Sequence, residues 1–157
     1  MDFHRFVLFV GYDFSPKVRF FSEYELEHSI AGEGKVGEVE LEQAYIEYDI
    51  TDNFTTRAGM MLLPVGIMNE VHEPTTFYGV ERNNVEAKII PATWWAGGVG
   101  VTYKASQNIT IDAMFHEGLA VPVSGGSALY IRSGRQKTGN ADVGDMAYTA
   151  RVKWQKD

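Results

Sequence analysis

The chain has 157 residues, 45% hydrophobic and 22% charged, enough for one folded domain and too apolar for a disordered one. It has no cysteine, which excludes disulfides and thiolate metal sites, and its net charge of −7 argues against a nucleic-acid partner, whose phosphates need a basic surface. Aromatics reach 13%, with 9 Phe and 8 Tyr, a balance that favours strands over helices.

Residues 1–14 lack the basic start, apolar core and small-residue cleavage site of a signal peptide, and they read as a strand. Phe6, Leu8, Val10, Tyr12 and Phe14 share one face of it. Ser15-Pro16 predicts a tight turn. Val18, Phe20, Ser22, Tyr24 and Leu26 then form a second row, opposed by Lys17, Arg19, Phe21, Glu23, Glu25 and Glu27. A Gly-containing loop follows over 29–36. The strand over 38–50 changes phase: Val39 and Leu41 share one parity, Ala44, Ile46 and Tyr48 the other. A β-bulge near Glu42-Gln43 would put both sets on one face.

After a turn at 51–53, Phe54, Thr56, Ala58, Met60 and Leu62 alternate with Thr55, Arg57, Gly59 and Met61. A long irregular excursion begins at Pro64-Val65-Gly66 and lasts to residue 93, a length reserved for functional loops or linkers. Trp95, Val99, Val101 and Tyr103 resume the apolar row, and Ala105-Ser106-Gln107 turns the chain. Ile109, Ile111, Ala113 and Phe115 form the next strand, and a loop rich in Gly, Ser and Asn spans 117–144. Met146, Tyr148, Ala150, Val152 and Trp154 complete the last row.

No stretch of 18 apolar residues exists, so no transmembrane helix is expected. Strands of about ten alternating residues can cross a bilayer as a barrel. Connections alternate short and long, as in barrels with tight turns on one rim and long loops on the other. The apolar row carries no Lys or Arg, and Tyr12, Phe14, Tyr48, Phe54, Trp95, Tyr103 and Trp154 fall toward its ends, as in interfacial girdles. These features predict an all-β fold: an antiparallel transmembrane β-barrel, incomplete at about seven strands. It would form one domain over 1–157, with loop 64–93 folded into the lumen. A soluble sandwich with one buried face gives the same alternation and stays open at this point.

The opposite face would line the pore through Glu23, Glu25, Glu40, Glu42, Arg57, Asp112, Arg151 and Lys153. With Glu27 and Glu38 it carries an acidic surplus that favours cations. Glu70, Glu73, Glu81, Arg82, Glu86 and Lys88 would narrow the channel from the loop. Arg57, Arg82, Arg132, Arg135 and Lys137 offer a basic ladder for anions, but no strand holds a dense Lys/Arg run, and scattered charges fit better. His72-Glu73, with Glu70 and Glu81, matches no zinc spacing, so polar packing within the loop is expected, with no metal and no cofactor. No nucleophile and base pair is legible, so no catalytic residue and no enzyme is expected.

Gly59, Pro64 and Gly66 carry a pattern, Gly-x-x-x-x-Pro-x-Gly, that resembles the strand-to-loop passage of phosphate-selective porin O/P-type outer-membrane proteins. The preceding segment over 41–48 looks like that family's previous strand. The texts HEPTTFYGVERNNVE and IIPATWWAGGVG look like a group of uncharacterised proteobacterial porins. The glycine pattern is short; the loop text is more specific, and the likeness runs over most of the chain. It implies a Gram-negative outer-membrane channel for passive diffusion of small hydrophilic solutes or ions. The implied partners are the lipid bilayer and lipopolysaccharide, and the implied full-length protein is a homo-trimer. Such proteins carry a signal peptide, an even strand count and an aromatic-ended last strand. This chain starts inside a strand and ends Trp154-Gln-Lys-Asp, so it is read as an internal fragment. The alternative is a soluble β-barrel carrier of a small ligand, which needs an apolar interior.

Overall fold

The alternating segments fold as seven strands in a computed structural model that describes residues 3–79, 82–142 and 144–156. They are β1 (Arg5–Ser15), β2 (Val18–Glu27), β3 (Val39–Thr51), β4 (Phe54–Leu62), β5 (Trp95–Lys104), β6 (Ile109–Glu117) and β7 (Met146–Trp154). Each pairs antiparallel with its neighbour in sequence, giving one sheet in the order β1 to β7. The all-β, antiparallel, seven-stranded expectation holds. The sheet is open, with β1 and β7 at its two edges, and it does not close into a barrel.

The tight turns form where a hydroxyl can cap them. Ser15 Oγ accepts from Lys17 N at 3.3 Å and Val18 N at 3.1 Å. Ser106 Oγ does the same for Asn108 N at 3.3 Å and Ile109 N at 3.1 Å. At the third turn Thr51 Oγ1 accepts from Asn53 N at 3.3 Å. All three turns lie at one rim. The long connections, 28–38, 63–94 and 118–145, leave from the other.

A bulge does occur in β3. Glu23 pairs with Gln43 and Tyr24 with Leu41, so Glu42 is the extra residue. The slip brings Val39, Leu41, Ile46, Tyr48 and Ile50 onto one exposed row. It also turns Glu42 toward Glu23 on the other face, where both are buried.

The two faces differ in kind. One is open and apolar: Phe6, Leu8, Val10, Tyr12 and Phe14 of β1, Val99 and Tyr103 of β5, and Tyr148, Val152 and Trp154 of β7 are all exposed. The other is polar, and its half toward the long connections lies under them. Its aromatic strip, Phe9, Phe21 and Tyr45, stacks at ring distances of 5.9 and 5.6 Å, and Arg57 stands 5.7 Å over the Tyr45 ring. The buried apolar cluster, Met61, Leu63, Ala96 and Met114 with Tyr45, Val65 and Trp94 against it, sits between this polar face and the second connection. The apolar rows of the sheet do not pack on one another.

Trp95 departs from the expected girdle. It is 4% exposed, under Arg135 and Lys137, whose cationic groups stand 6.0 and 5.1 Å from its ring centroid. Leu62, paired with it, is buried too. The simple alternation stops at this end of β4 and β5, where Met61, Leu62, Trp95 and Ala96 are all buried irrespective of parity.

Candidate functional site

The second connection is a folded structure with its own buried polar fasteners. Asn69 ties its two ends together: its Nδ2 donates to the Leu63 carbonyl at 2.7 Å and the Trp94 carbonyl at 2.8 Å, while its Oδ1 accepts from Trp94 N at 2.6 Å. The Glu86 carboxylate, at the start of a π-turn over Val85–Ile89, accepts from Ile67 N at 3.2 Å and Met68 N at 3.5 Å. Gly66 sits at φ +73°, where a Cβ would press on Glu86 Oε2 at 2.7 Å, so this backbone conformation and this close approach both require glycine.

The third connection braces the second. Arg132 donates to the carbonyls of Ala92 at 2.5 Å and Ala87 at 3.2 Å, and Arg135 donates to that of Thr93. Burial pushes the Arg135 guanidinium down to about 10, nearby Arg132 adds to the shift, and Glu40 opposes it. Lys137 reaches the wall, pairing with Glu40 and lying 3.8 Å from Glu38.

Ion pairs run across the polar wall. Arg5 binds Glu27 at 2.9 Å and Glu25 at 3.3 Å. Arg19 holds Glu47 at 2.6 Å and Asp49 at 2.7 Å, and Arg57 holds the other oxygen of Glu47 at 2.5 Å. Asp112 takes Arg151 at 2.7 Å and Lys153 at 3.7 Å. Glu70 of the second connection reaches across to Arg151. A cavity of about 300 Å³ lies where the acidic ends of β2 and β3 face the loops. Glu25, Glu27, Glu38, Glu40 and Glu42 line its wall side, and Arg82, Arg132, Arg135 and Lys137 its loop side.

At the bulge the loop is pinned by one histidine. His72 is 2% exposed, its Nδ1–H donates to the Asn69 carbonyl at 3.1 Å, and its Nε2 lies 2.8 Å from Glu42 Oε2. Glu73 Oε1 at 3.8 Å and Glu23 Oε1 at 3.9 Å also face that nitrogen. Burial alone would lower the His72 imidazole, but the hydrogen bond and charge of Glu42, with Glu23 and Glu73 behind it, outweigh burial and hold it above its ordinary value.

The expected wall residues therefore share one face: Glu23, Glu25, Glu40, Glu42, Arg57, Asp112, Arg151 and Lys153 all lie there. Most are engaged in ion pairs rather than standing as a free acidic ring. Of the expected loop set, Glu70 and Glu73 meet the wall, and Arg82 binds Thr93 Oγ1 at 3.1 Å. Glu86 is buried as a backbone fastener, Lys88 is exposed, and Glu81 lies outside the described residues. His72 does more than pack its own loop, because its partners Glu23 and Glu42 come from β2 and β3. No motif announces this: Glu42 is thirty positions away, and only the bulge turns it toward the imidazole.

No protein-family model matches the chain. It is 36% identical over 157 residues to an uncharacterized protein of Aquifex aeolicus (strain VF5), a match covering 99% of this chain and 36% of that relative. The chain thus spans about a third of the length of the relative it matches.

Proposed function

We propose that this chain forms a segment of the wall of an outer-membrane porin of the phosphate-selective porin O/P-like kind, through which small hydrophilic solutes or ions diffuse passively. The observation that carries the reading is the sidedness of the sheet. A continuous apolar face without Lys or Arg is left open, while the long connections fold over the loop end of the charged face. A soluble domain would gain by burying those exposed rows; acyl chains cover them in a bilayer. No helix among the described residues is long and apolar enough to cross a membrane, and strands of nine to thirteen residues are the crossing elements in this reading.

In the porin, neighbouring strands complete the barrel, and the second connection lies in the lumen, narrowing it through Glu70, Glu73 and Arg82. Internal pairing of the wall leaves a modest preference for cations, set by the chain's net charge of −7. The bacterial outer membrane, contact with lipopolysaccharide and a homo-trimeric full-length protein belong to the same proposal. A soluble carrier fits less well, because the charged face is crossed by ion pairs instead of an apolar pocket.

Planar-bilayer recording of the detergent-purified full-length protein tests it. Discrete conductance steps, with a reversal potential shifted toward the cation in a salt gradient, are expected. A full-length protein that is monodisperse without detergent and gives no steps would overturn the reading, and a chloride preference would remove its selectivity part.

A further inference from the structure

A cluster of three carboxylates around one imidazole holds the second connection to the wall, and it has more acceptors than donors. Glu23 is 1% exposed, and its Oε1 has no hydrogen-bond partner; Glu73 Oε1 is likewise buried and unpartnered. The other oxygen of Glu23 is fixed by Gln43 Nε2 at 2.5 Å, which aims the free oxygen at His72. Burying a carboxylate oxygen with nothing to donate to it is costly unless a proton shared with Glu73 or a bound cation completes the site.

From this geometry we propose that Glu23, Glu42, His72 and Glu73 bind a first-row divalent transition cation of the Zn²⁺ type. One ligand atom each from Glu23, Glu42 and His72 already lie within 4.8 Å of one another. A tetrahedral ion at about 2.1 Å from its ligands sets them about 3.4 Å apart. The distances from His72 Nε2, 2.8, 3.8 and 3.9 Å, straddle that spacing, and Glu73, which stands outside the 4.8 Å group, turns inward to complete the shell. The ring orientation is correct too. Donation from Nδ1 to the Asn69 carbonyl fixes the ring, so a metal that displaces the proton between Nε2 and Glu42 takes the Nε2 lone pair, and Gln43 on Glu23 serves as the outer partner that ligating carboxylates use. One nitrogen with three carboxylates suits a borderline cation. Calcium takes six to eight oxygens and would leave the imidazole unused.

The ligands come from β2, from the bulge of β3 and from the loop, so the ion would clamp loop to wall. The site rests on the observed fold and not on the porin reading, and binding is measured without reference to conductance.

The test is a calorimetric Zn²⁺ titration of the full-length protein in detergent, with the visible spectrum of the Co²⁺ form alongside it. One equivalent per chain and a four-coordinate Co²⁺ spectrum are expected. Glu23→Gln, which keeps the shape of the side chain, and His72→Ala should each weaken binding at least tenfold. Gln43→Ala, which removes only the outer partner, should cost about 10–100-fold. X-ray absorption of the Zn²⁺-loaded wild type needs no variant and should give one imidazole among oxygen neighbours. Absence of saturable binding, an all-oxygen shell, or affinity unchanged by both Glu23→Gln and His72→Ala would overturn the site.

Discussion

Gly59 is the residue at which the backbone leaves the least choice. Its φ is +134°, and a Cβ there would collide with the Ala44 carbonyl oxygen and the Tyr45 Cα of the neighbouring strand. Strain of this kind costs about 1–3 kcal/mol, so Gly59→Ala should lose stability by that amount in denaturant unfolding in micelles. The glycine pattern of the sequence marked this position, because a conformation only glycine tolerates leaves its trace in the letters. Asn69 leaves no such trace. Its partners are backbone atoms at Leu63 and Trp94, which any sequence could supply. Asn69→Leu strands buried backbone groups at about 1–3 kcal/mol each; the second connection should then become the first site cut in limited proteolysis, with the strands still protected. Cleavage no faster than in the wild type would show that Asn69 does not hold the loop.

The strands were legible because each carries a strict two-residue period, and their boundaries follow Ser15, Thr51 and Ser106, whose hydroxyls cap the turns. The bulge in β3 was legible from the shift of apolar parity at Glu42-Gln43. Trp95 was misplaced because alternation along one strand says nothing of what crosses over it; Arg135 and Lys137 arrive from a connection some forty residues downstream. Each face of β3 makes its own prediction. Ile46→Lys puts a charge on the open face and should cost about 2–4 kcal/mol if that face meets acyl chains at mid-depth. The same change on a water-exposed surface costs about 0.5 kcal/mol or less, so unfolding measurements in liposomes separate the two. On the opposite face Glu47→Gln removes the carboxylate shared by Arg19 and Arg57. It should move the reversal potential toward anions while leaving stability less affected than Ile46→Lys does.

At the scale of the whole molecule, the sheet has a single packed side. Its apolar cluster lies beneath the second connection on the polar face, and its apolar rows are left uncovered. That arrangement, more than any single residue, supports a wall between lipid and water. Whether the sheet closes with further strands was not legible, because seven strands fix only the order of neighbours. The most direct measurement is a nitroxide scan from Ala44 to Ile50 in the full-length protein in liposomes, within a segment that carries no native cysteine. Labels at residues 44, 46, 48 and 50 should be relaxed by oxygen dissolved in the bilayer, and those at 45, 47 and 49 by a water-soluble nickel chelate. Chelate access on both rows, or oxygen protection of residues 44, 46, 48 and 50 by packing against other protein, would contradict the account.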